Sequence, residues 1–143
     1  MSIRDAFKKA GVKARRVRPG EIYLVKDECI QIPETRLAGQ KRKKHEYRPV
    51  LVIQCKEDAQ DRICVTTIIA PFSHRVKLKR AQDLELSCQE TGLERDSIVR
   101  LGLIQPILKV ELSGKPKGRL PKERMEEVLA LVARNIGIFE LLS

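Results

Sequence analysis

Tryptophan is absent from this sequence, and aromatic residues of all kinds make up only 3% of its 143 residues. A core must therefore be built from Leu, Ile and Val, for which the 42% hydrophobic content is sufficient. No apolar run approaches the roughly 18 residues of a membrane-spanning helix, which excludes that class. The basic N-terminus has no apolar segment of the kind found in secretory signals, so we expect a cytoplasmic protein.

Closely spaced cysteine pairs, a usual sign of a metal site, are also missing. The four cysteines are scattered, at Cys29, Cys55, Cys64 and Cys88. Because disulfides belong to oxidising compartments, we predict reduced and mostly buried thiols. The sequence therefore predicts neither a metal site nor a cofactor.

Acidic residues are in the minority, with 19 Asp and Glu against 29 Lys and Arg and a net charge of +10. This excess favours a polyanionic partner, either nucleic acid or an anionic membrane surface. Residues 1–17 form a basic arm, in which Ser2 and Asp5 have the spacing of a weak helix cap. The arm is either a short helix or a loosely attached segment, and its charge either adds nonspecific nucleic-acid affinity or is solvated.

What the chain does contain is a series of short apolar runs separated by turn residues. Residues 50–53 and 63–70 predict buried strands, the first of them central. From 75 to 80, Val76 and Leu78 alternate with cationic residues, which predicts a strand with a basic face. Further strands are predicted at 21–25, 84–86, 97–99, 101–104 and 107–112.

Two segments lack this pattern, and one helix closes the chain. Residues 27–47 are predicted to be a long functional or disordered loop, and 113–118 a flexible connector. Pro121 begins a helix whose apolar stripe consists of Met125, Val128, Leu129 and Val132, and which Asn135 and Gly137 end. The fold class is therefore mainly β, a small barrel or sandwich with a C-terminal amphipathic helix, in one domain over residues 18–143.

Five segments, in order, carry the motifs of one family. Residues 18–23 match its R-G-D/E-I/V-Y opening, and residues 46–53 contain its R-P-V-L-V-I strand. Residues 69–73 stand where the family has a strand that ends in P-x-T/S, and residues 91–97 match the family's G-x-x-x-D-S turn. Residues 118–120 match the R-L that precedes the family's last helix. From about residue 18 to 138, the chain thus resembles the MazF/PemK family of type II toxin–antitoxin ribonucleases.

The resemblance implies an SH3-like barrel of the MazF/PemK/CcdB type that forms a homodimer and binds single-stranded RNA in a groove. It implies metal-independent cleavage of that RNA, in which the 2′-OH attacks phosphorus and leaves a 2′,3′-cyclic phosphate. It also implies a partner antitoxin that holds the toxin inactive, and an acidic antitoxin would suit the +10 surface.

Such cleavage needs a base, an acid and donors to the phosphate oxygens. By its position in the motif, Arg48 matches the family's catalytic arginine, and Ser73 matches the hydroxyl residue that contacts the scissile phosphate. His74 is adjacent and can act as acid or base, or is a surface histidine. The second histidine, His45, is not expected to converge with it.

The expected RNA-binding surface combines basic segments with an aromatic ring. Bases stack on aromatic side chains, and Tyr47 is the best-placed candidate, whereas Tyr23 and Phe72 are expected in the core. The cationic candidates, which alternatively form a solvated surface, are Lys41, Arg42, Lys43 and Lys44 in the loop and Arg75, Lys77 and Lys79 beside His74.

Residues 103–108 depart from the family pattern Q-I-R/K-T/S-I. Gln105 stands at a basic position that lines the RNA groove, and Pro106 stands at a hydroxyl position. Because glutamine can hydrogen-bond RNA but brings no charge, cleavage could be weakened while binding persists.

Three alternatives to a ribonuclease stay open on these residues. The first is a catalytically silent family member that binds RNA or a protein. The second is a toxin of the same fold that acts on DNA gyrase, which rests on fold analogy alone. The third is a membrane-surface role for the basic arm.

Overall fold

The computed structural model describes residues 2–3, 5–6, 15–37 and 45–142. Within them, seven strands form one antiparallel sheet of order β4-β5-β3-β2-β1-β7, in which β6 also pairs with β3. The strands are β1 (Glu21–Lys26), β2 (Tyr47–Val52), β3 (Thr66–Ser73), β4 (Leu84–Leu86), β5 (Ser97–Val99), β6 (Gln105–Leu108) and β7 (Leu112–Arg119). The helices are α1 (Lys56–Gln60), α2 (Cys88–Thr91), α3 (Lys122–Asn135) and α4 (Ile138–Leu142). Short 3-10 turns lie at Asp27–Cys29, Pro33–Arg36, Val76–Leu78, Leu101–Leu103 and Lys109–Glu111. The predicted mainly-β fold with a C-terminal helix is confirmed.

The central strand β2 is buried, as its continuous apolar run predicts. Leu51 of β2 lies opposite Ile22 of β1 and Ala70 of β3. Because successive side chains point to opposite faces, Val50 and Leu51 enter two different buried clusters, one on each side of the sheet. The sheet is therefore covered on both faces around β2.

Strand β3 pairs with two strands, β6 and β5, along the same edge. Residues 66–69 pair with β6, whereas Phe72 and Ser73 pair with β5. Since β2 and β3 are antiparallel, the beginning of β2 meets the end of β3, with the beginning of β5 beside it. This end of the sheet carries the candidate site.

Helix α3 packs against the Leu51 side of the sheet. Val128 is fully buried there, and Met125 and Val132 are partly buried against the same cluster. Leu129, predicted in this stripe, is 49% exposed, and Leu131 packs in its place. The buried face centres on Val128, from which Leu131 lies about 60° around the helix and Leu129 about 100°. No helix within the described ranges is both long and apolar enough to cross a bilayer.

Five predicted elements differ from the structure. The predicted strand 101–104 is a 3-10 turn at Leu101–Leu103, because the chain leaves the sheet between β5 and β6. The predicted strand 107–112 is divided, because the Lys109–Glu111 turn separates β6 from β7. Val76–Leu78 forms a 3-10 turn rather than a strand, because the chain leaves the sheet after Ser73. Ser113–Gly118 is not a connector but part of strand β7, which tolerates Pro116 because Pro116 lies in the register irregularity between Ser113 and Gly118. The loop 27–47 contains two 3-10 turns, and its residues 38–44 lie outside the described part.

The cysteines and the arm also need correction. All four cysteines are free, but none is buried, so the prediction of mostly buried thiols is wrong. Val17, assigned to the arm, is fully buried in the Val50 cluster, and Arg15 donates hydrogen bonds to the carbonyl oxygens of Leu112 and Gly114. Residues 15–17 therefore pack with the folded domain.

Candidate functional site

Arg48, at the beginning of β2, is held by a buried carboxylate. Its Nε donates to Asp27 Oδ1 at 2.8 Å, and its Nη1 donates to the carbonyl oxygen of Phe72 at 2.9 Å. Asp27 is fully buried, whereas the Arg48 side chain is 13% exposed. A guanidinium has five N–H donors, so Arg48 keeps further donors for a ligand at the surface.

Asp27 also fixes the chain that returns to β2. Its Oδ2 accepts a hydrogen bond from the backbone N–H of His45 at 2.9 Å, and its own N–H donates to the carbonyl oxygen of Glu46 at 3.1 Å. One carboxylate thus positions both His45 and Arg48. Asp27 was not predicted as a site residue, although an acidic residue directly after the strand that pairs with Arg48 was an available signal.

Ser73, the last residue of β3, lies beside Arg48. The β2–β3 pairing ends with Val50 opposite Pro71, and just beyond it Arg48 Nη1 donates to the carbonyl oxygen of Phe72, the residue before Ser73. Ser73 Oγ accepts a hydrogen bond from the backbone N–H of Arg75 at 3.2 Å, which leaves the hydroxyl proton to donate. The structure therefore brings the two predicted catalytic residues together.

The two histidines also converge at this end of the sheet. His45 precedes β2 and His74 follows β3, and their ring centroids lie 6.1 Å apart with an interplanar angle of 68°. Both residues are exposed. The expectation that they would not converge is wrong, because the antiparallel pairing of β2 with β3 brings their flanking residues together.

Positive charge surrounds His74. Desolvation of the imidazole by neighbouring groups is the largest cause that lowers the pKa of His74, followed by the charges of Arg95, His45, Arg75 and Arg48. Arg95 lies just before β5 and was not predicted as a site residue. We refer to His45, Arg48, Ser73, His74, Arg75 and Arg95 as the arginine–histidine cluster.

The other RNA-binding candidates lie around this cluster or away from it. Lys77 and Lys79 are exposed near the Val76–Leu78 turn, not on a strand. Tyr47 is 39% exposed, but alternation along β2 directs it to the opposite face from Arg48. Tyr23 and Phe72 are buried, as predicted. Lys41, Arg42, Lys43 and Lys44 lie outside the described residues.

Gln105 is not part of the cluster. It lies opposite Ile69, four residues before Ser73 on β3, which is about 13 Å along the strand. Its Oε1 accepts from the backbone N–H of Gln31 at 2.8 Å, and its Nε2 donates to the Gln31 carbonyl oxygen at 3.0 Å. The Gln105 amide therefore anchors the segment after β1, and the structure does not bring it to Arg48.

A second anchor holds the same segment. Arg100 Nη2 donates to Glu34 Oε1 at 2.7 Å, and Arg80 Nη1 lies 3.0 Å from Glu34 Oε2. The hydrogen bond from Arg100 is the largest cause that lowers the pKa of Glu34. Residues 31–34 are thus tied to the sheet on the same side as Arg48.

Among the described residues, no group of three or more His, Cys, Asp or Glu side chains is placed to hold a metal ion. The groups gathered at the cluster are instead cationic donors, imidazoles and a hydroxyl. Such groups bind phosphate oxygens and transfer protons.

A family model described as "PemK-like, MazF-like toxin of type II toxin-antitoxin system" matches residues 18–136. The chain belongs to this family. No curated protein matches the chain.

Solved structures of MazF-like proteins share the fold. The Mycobacterium tuberculosis toxin MazF-mt6 matches with a TM-score of 0.60 and 19% identity, over 81% of this chain and 95% of that one. Deinococcus radiodurans MazF matches with a TM-score of 0.61 and 13% identity, over 85% and 97% of the two chains. An endoribonuclease from a mycobacterial species, solved in complex with its cognate antitoxin, matches with a TM-score of 0.58 and 12% identity, over 85% and 93%.

Proposed function

We propose that this PemK-like toxin is a metal-independent endoribonuclease that cleaves single-stranded RNA in the cytoplasm and inhibits growth. The observation that carries the proposal is the convergence of Arg48, Ser73 and His74 at one accessible end of the sheet. Arg75 and Arg95 add positive charge beside them. Membership of a toxin family supports the same conclusion.

In the proposed reaction, the 2′-OH attacks the adjacent phosphorus, the 5′-oxygen leaves, and a 2′,3′-cyclic phosphate remains. Arg48, held in place by Asp27, donates hydrogen bonds to the non-bridging oxygens as their charge grows. The Ser73 hydroxyl donates to the same phosphate. Because both groups are positioned before RNA binds, little reorganisation opposes the reaction.

The surrounding candidates serve the flanking nucleotides in this proposal. Arg75, Lys77 and Lys79 neutralise phosphates next to the scissile one. Lys41, Arg42, Lys43 and Lys44 extend the basic surface, and Tyr47 and Gln105 contact RNA further from the cleaved bond. The uncharged Gln105 lies about 13 Å along β3 from Ser73, so its lack of charge leaves the cationic cluster unchanged.

A catalytically silent, RNA-binding family member is the second candidate. It is favoured by the contacts of Arg48, whose guanidinium already binds a buried carboxylate and a backbone carbonyl. An arginine fully committed to the protein would bind RNA weakly and would not stabilise the transition state.

Cleavage of a long RNA in EDTA separates the two candidates. We expect the wild type to leave 2′,3′-cyclic phosphate ends and Arg48→Ala to be slower by about 100-fold or more, as for loss of one transition-state donor. Arg62→Ala is the matched control, because it removes an exposed arginine outside the cluster. Its rate should equal that of the wild type.

Binding to a 2′-O-methyl RNA, which lacks the nucleophile, completes the experiment. RNA that the wild type binds but leaves intact would establish the silent member. Equal cleavage by wild type and Arg48→Ala would instead remove Arg48 from the site.

We propose that the active toxin is a homodimer and that its inhibitor is an acidic antitoxin. The +10 charge suits an acidic partner that covers the RNA-binding surface. Ile68 and Leu108 are 41% and 42% exposed on the outer side of the β3–β6 pair, and an apolar surface there suits a second copy of the chain.

A further inference from the structure

The Arg48 and Ser73 side chains supply donors to a phosphate, but neither is a base near neutral pH. Arginine stays protonated in proteins. Cleavage through the 2′-OH still requires one group that accepts the hydroxyl proton and another that protonates the leaving oxygen. The proposed function therefore leaves two proton-transfer roles without residues.

The two histidines are placed for these roles. An in-line displacement puts the attacking and leaving oxygens on opposite sides of phosphorus, so a base and an acid must flank one phosphate. His45 and His74 come from two different strand ends, and their ring centroids are 6.1 Å apart. Both are exposed to an incoming RNA. They are also the only two histidines of the chain.

We propose that His74 and His45 form the acid–base pair of the cleavage, with His74 as the base and His45 as the acid. The inference rests on the proposed ribonuclease function. As the bond between O2′ and phosphorus forms, the O2′ proton passes to the neutral imidazole of His74. As the bond between phosphorus and O5′ breaks, the imidazolium of His45 gives its proton to O5′. Exchange with water then restores both rings.

The charges around the pair support this assignment of roles. Arg48 lies on β2, Arg75 follows β3, and Arg95 precedes β5, so three elements direct positive charge at His74. Together with desolvation of the ring by its neighbours, they lower the pKa of His74 and favour the neutral ring that a base needs. The carboxylate of Asp27, just after β1, accepts a hydrogen bond from the backbone N–H of His45 and so helps to hold His45 near His74.

Variants of the two histidines test the proposal. We expect His74→Ala and His45→Ala each to lower kcat/KM by about 10²–10⁴-fold, the usual contribution of a general acid or base. Binding of 2′-O-methyl RNA should stay within about twofold, because neither role is used in binding. The bell-shaped pH profile of the wild type should lose its acidic limb in His74→Ala and its alkaline limb in His45→Ala. Arg62→Ala is again the control.

A modified substrate distinguishes the acid from the base. When sulfur replaces the bridging 5′-oxygen, the leaving thiolate needs no proton. We therefore expect His45→Ala to cleave this RNA at close to the wild-type rate, whereas His74→Ala stays slow. A merely structural role for His45 would depress the cleavage of both substrates equally. For His74, a merely structural role would lower the rate but keep the acidic limb of the pH profile.

The experiments distinguish failure of the histidine pair from failure of the proposed ribonuclease function. If both histidine variants cleave normally while Arg48→Ala does not, the ribonuclease stands and the acid–base pair is wrong. Rescue of His74→Ala instead of His45→Ala by the sulfur substrate contradicts the assigned roles. RNA left intact by the wild type removes the proposed function and this inference with it.

Discussion

At the residue scale, Asp27 organises the candidate site without being part of the expected chemistry. Its carboxylate is fully buried and binds both the Arg48 side chain and the backbone of His45. A buried carboxylate is costly unless it is paired, and removing one member of a buried pair leaves the other uncompensated. The stability of the domain and the geometry of the cluster therefore depend on the same contacts.

Asp27→Ala should show this dependence. We expect the free energy of unfolding to fall by about 3 kcal/mol, because Arg48 and the His45 N–H lose their acceptor. Urea unfolding measures the change, and RNA cleavage should fall with it. Glu57→Ala, which removes an exposed carboxylate, is the control and should change stability by less than about 0.5 kcal/mol. An Asp27→Ala variant as stable as this control would show that the ion pair does not support the fold.

The residues of the site were only partly predictable. Arg48 and Ser73 follow from motifs, because each lies at a fixed position within its own segment. Motifs could not predict that Asp27 and Arg95 belong to the site or that the two histidines meet. These features depend on which strand ends become neighbours, and residues far apart in the sequence have no local signal for that.

At the element scale, the contact between α2 and β7 requires two glycines. Gly92 ends α2 with a φ of 77°, a left-handed conformation that favours glycine, as the predicted Thr91-Gly92 turn suggests. A Cβ at Gly118 would collide with the carbonyl oxygen of Thr91, and one at Gly92 with that of Lys117. The two backbones therefore pack in direct contact.

Gly118→Ala and Gly114→Ala give a matched comparison. Gly114 has a φ of 62°, but no atom lies within 4 Å of a Cβ placed there. We expect Gly114→Ala to cost about 1 kcal/mol through backbone strain alone. Gly118→Ala should cost about 3 kcal/mol, because backbone atoms must move apart. Thermal unfolding compares the two, and an equal loss would mean that α2 moves away from β7 without penalty.

The elements that were mispredicted share a physical cause. Residues 113–118 contain Gly, Pro and Lys, which disfavour strands, yet the pairing of Ser113 and Gly118 with β1 at the two ends of the segment makes it part of β7. Residues 75–80 alternate as a strand does, yet the chain turns there after the end of β3. Pairing partners, rather than local composition, decide the structure of such segments.

At the scale of the whole molecule, charge and apolar surface favour different partners. The +10 charge suits the proposed RNA substrate and the proposed acidic antitoxin, whereas Val110, Leu108 and Ile68 leave apolar surface near β6. An exposed apolar patch on a small domain marks an interaction site. The proposed homodimer would bury it.

Sedimentation equilibrium tests this interface. We expect the wild type to have about twice the chain mass of 16.3 kDa. Leu108→Lys should shift it toward the single-chain mass, because a charge would be buried in an apolar contact. Leu37→Lys is the control, since Leu37 is 91% exposed and lies outside the patch. A monomeric wild type, or a dimer unaffected by Leu108→Lys, would contradict the proposed interface.

The class of fold, the central strand, the C-terminal helix and the resemblance to a toxin family were all predictable from the order of the residues. These depend on periodicity and on short segments, whose signals are local. Three features depend instead on the folded chain: His45 meets His74, Asp27 holds Arg48, and Gln105 anchors a loop instead of joining the cluster. Each of these follows from strand register, which the chain settles only when distant segments pair and bury their shared faces.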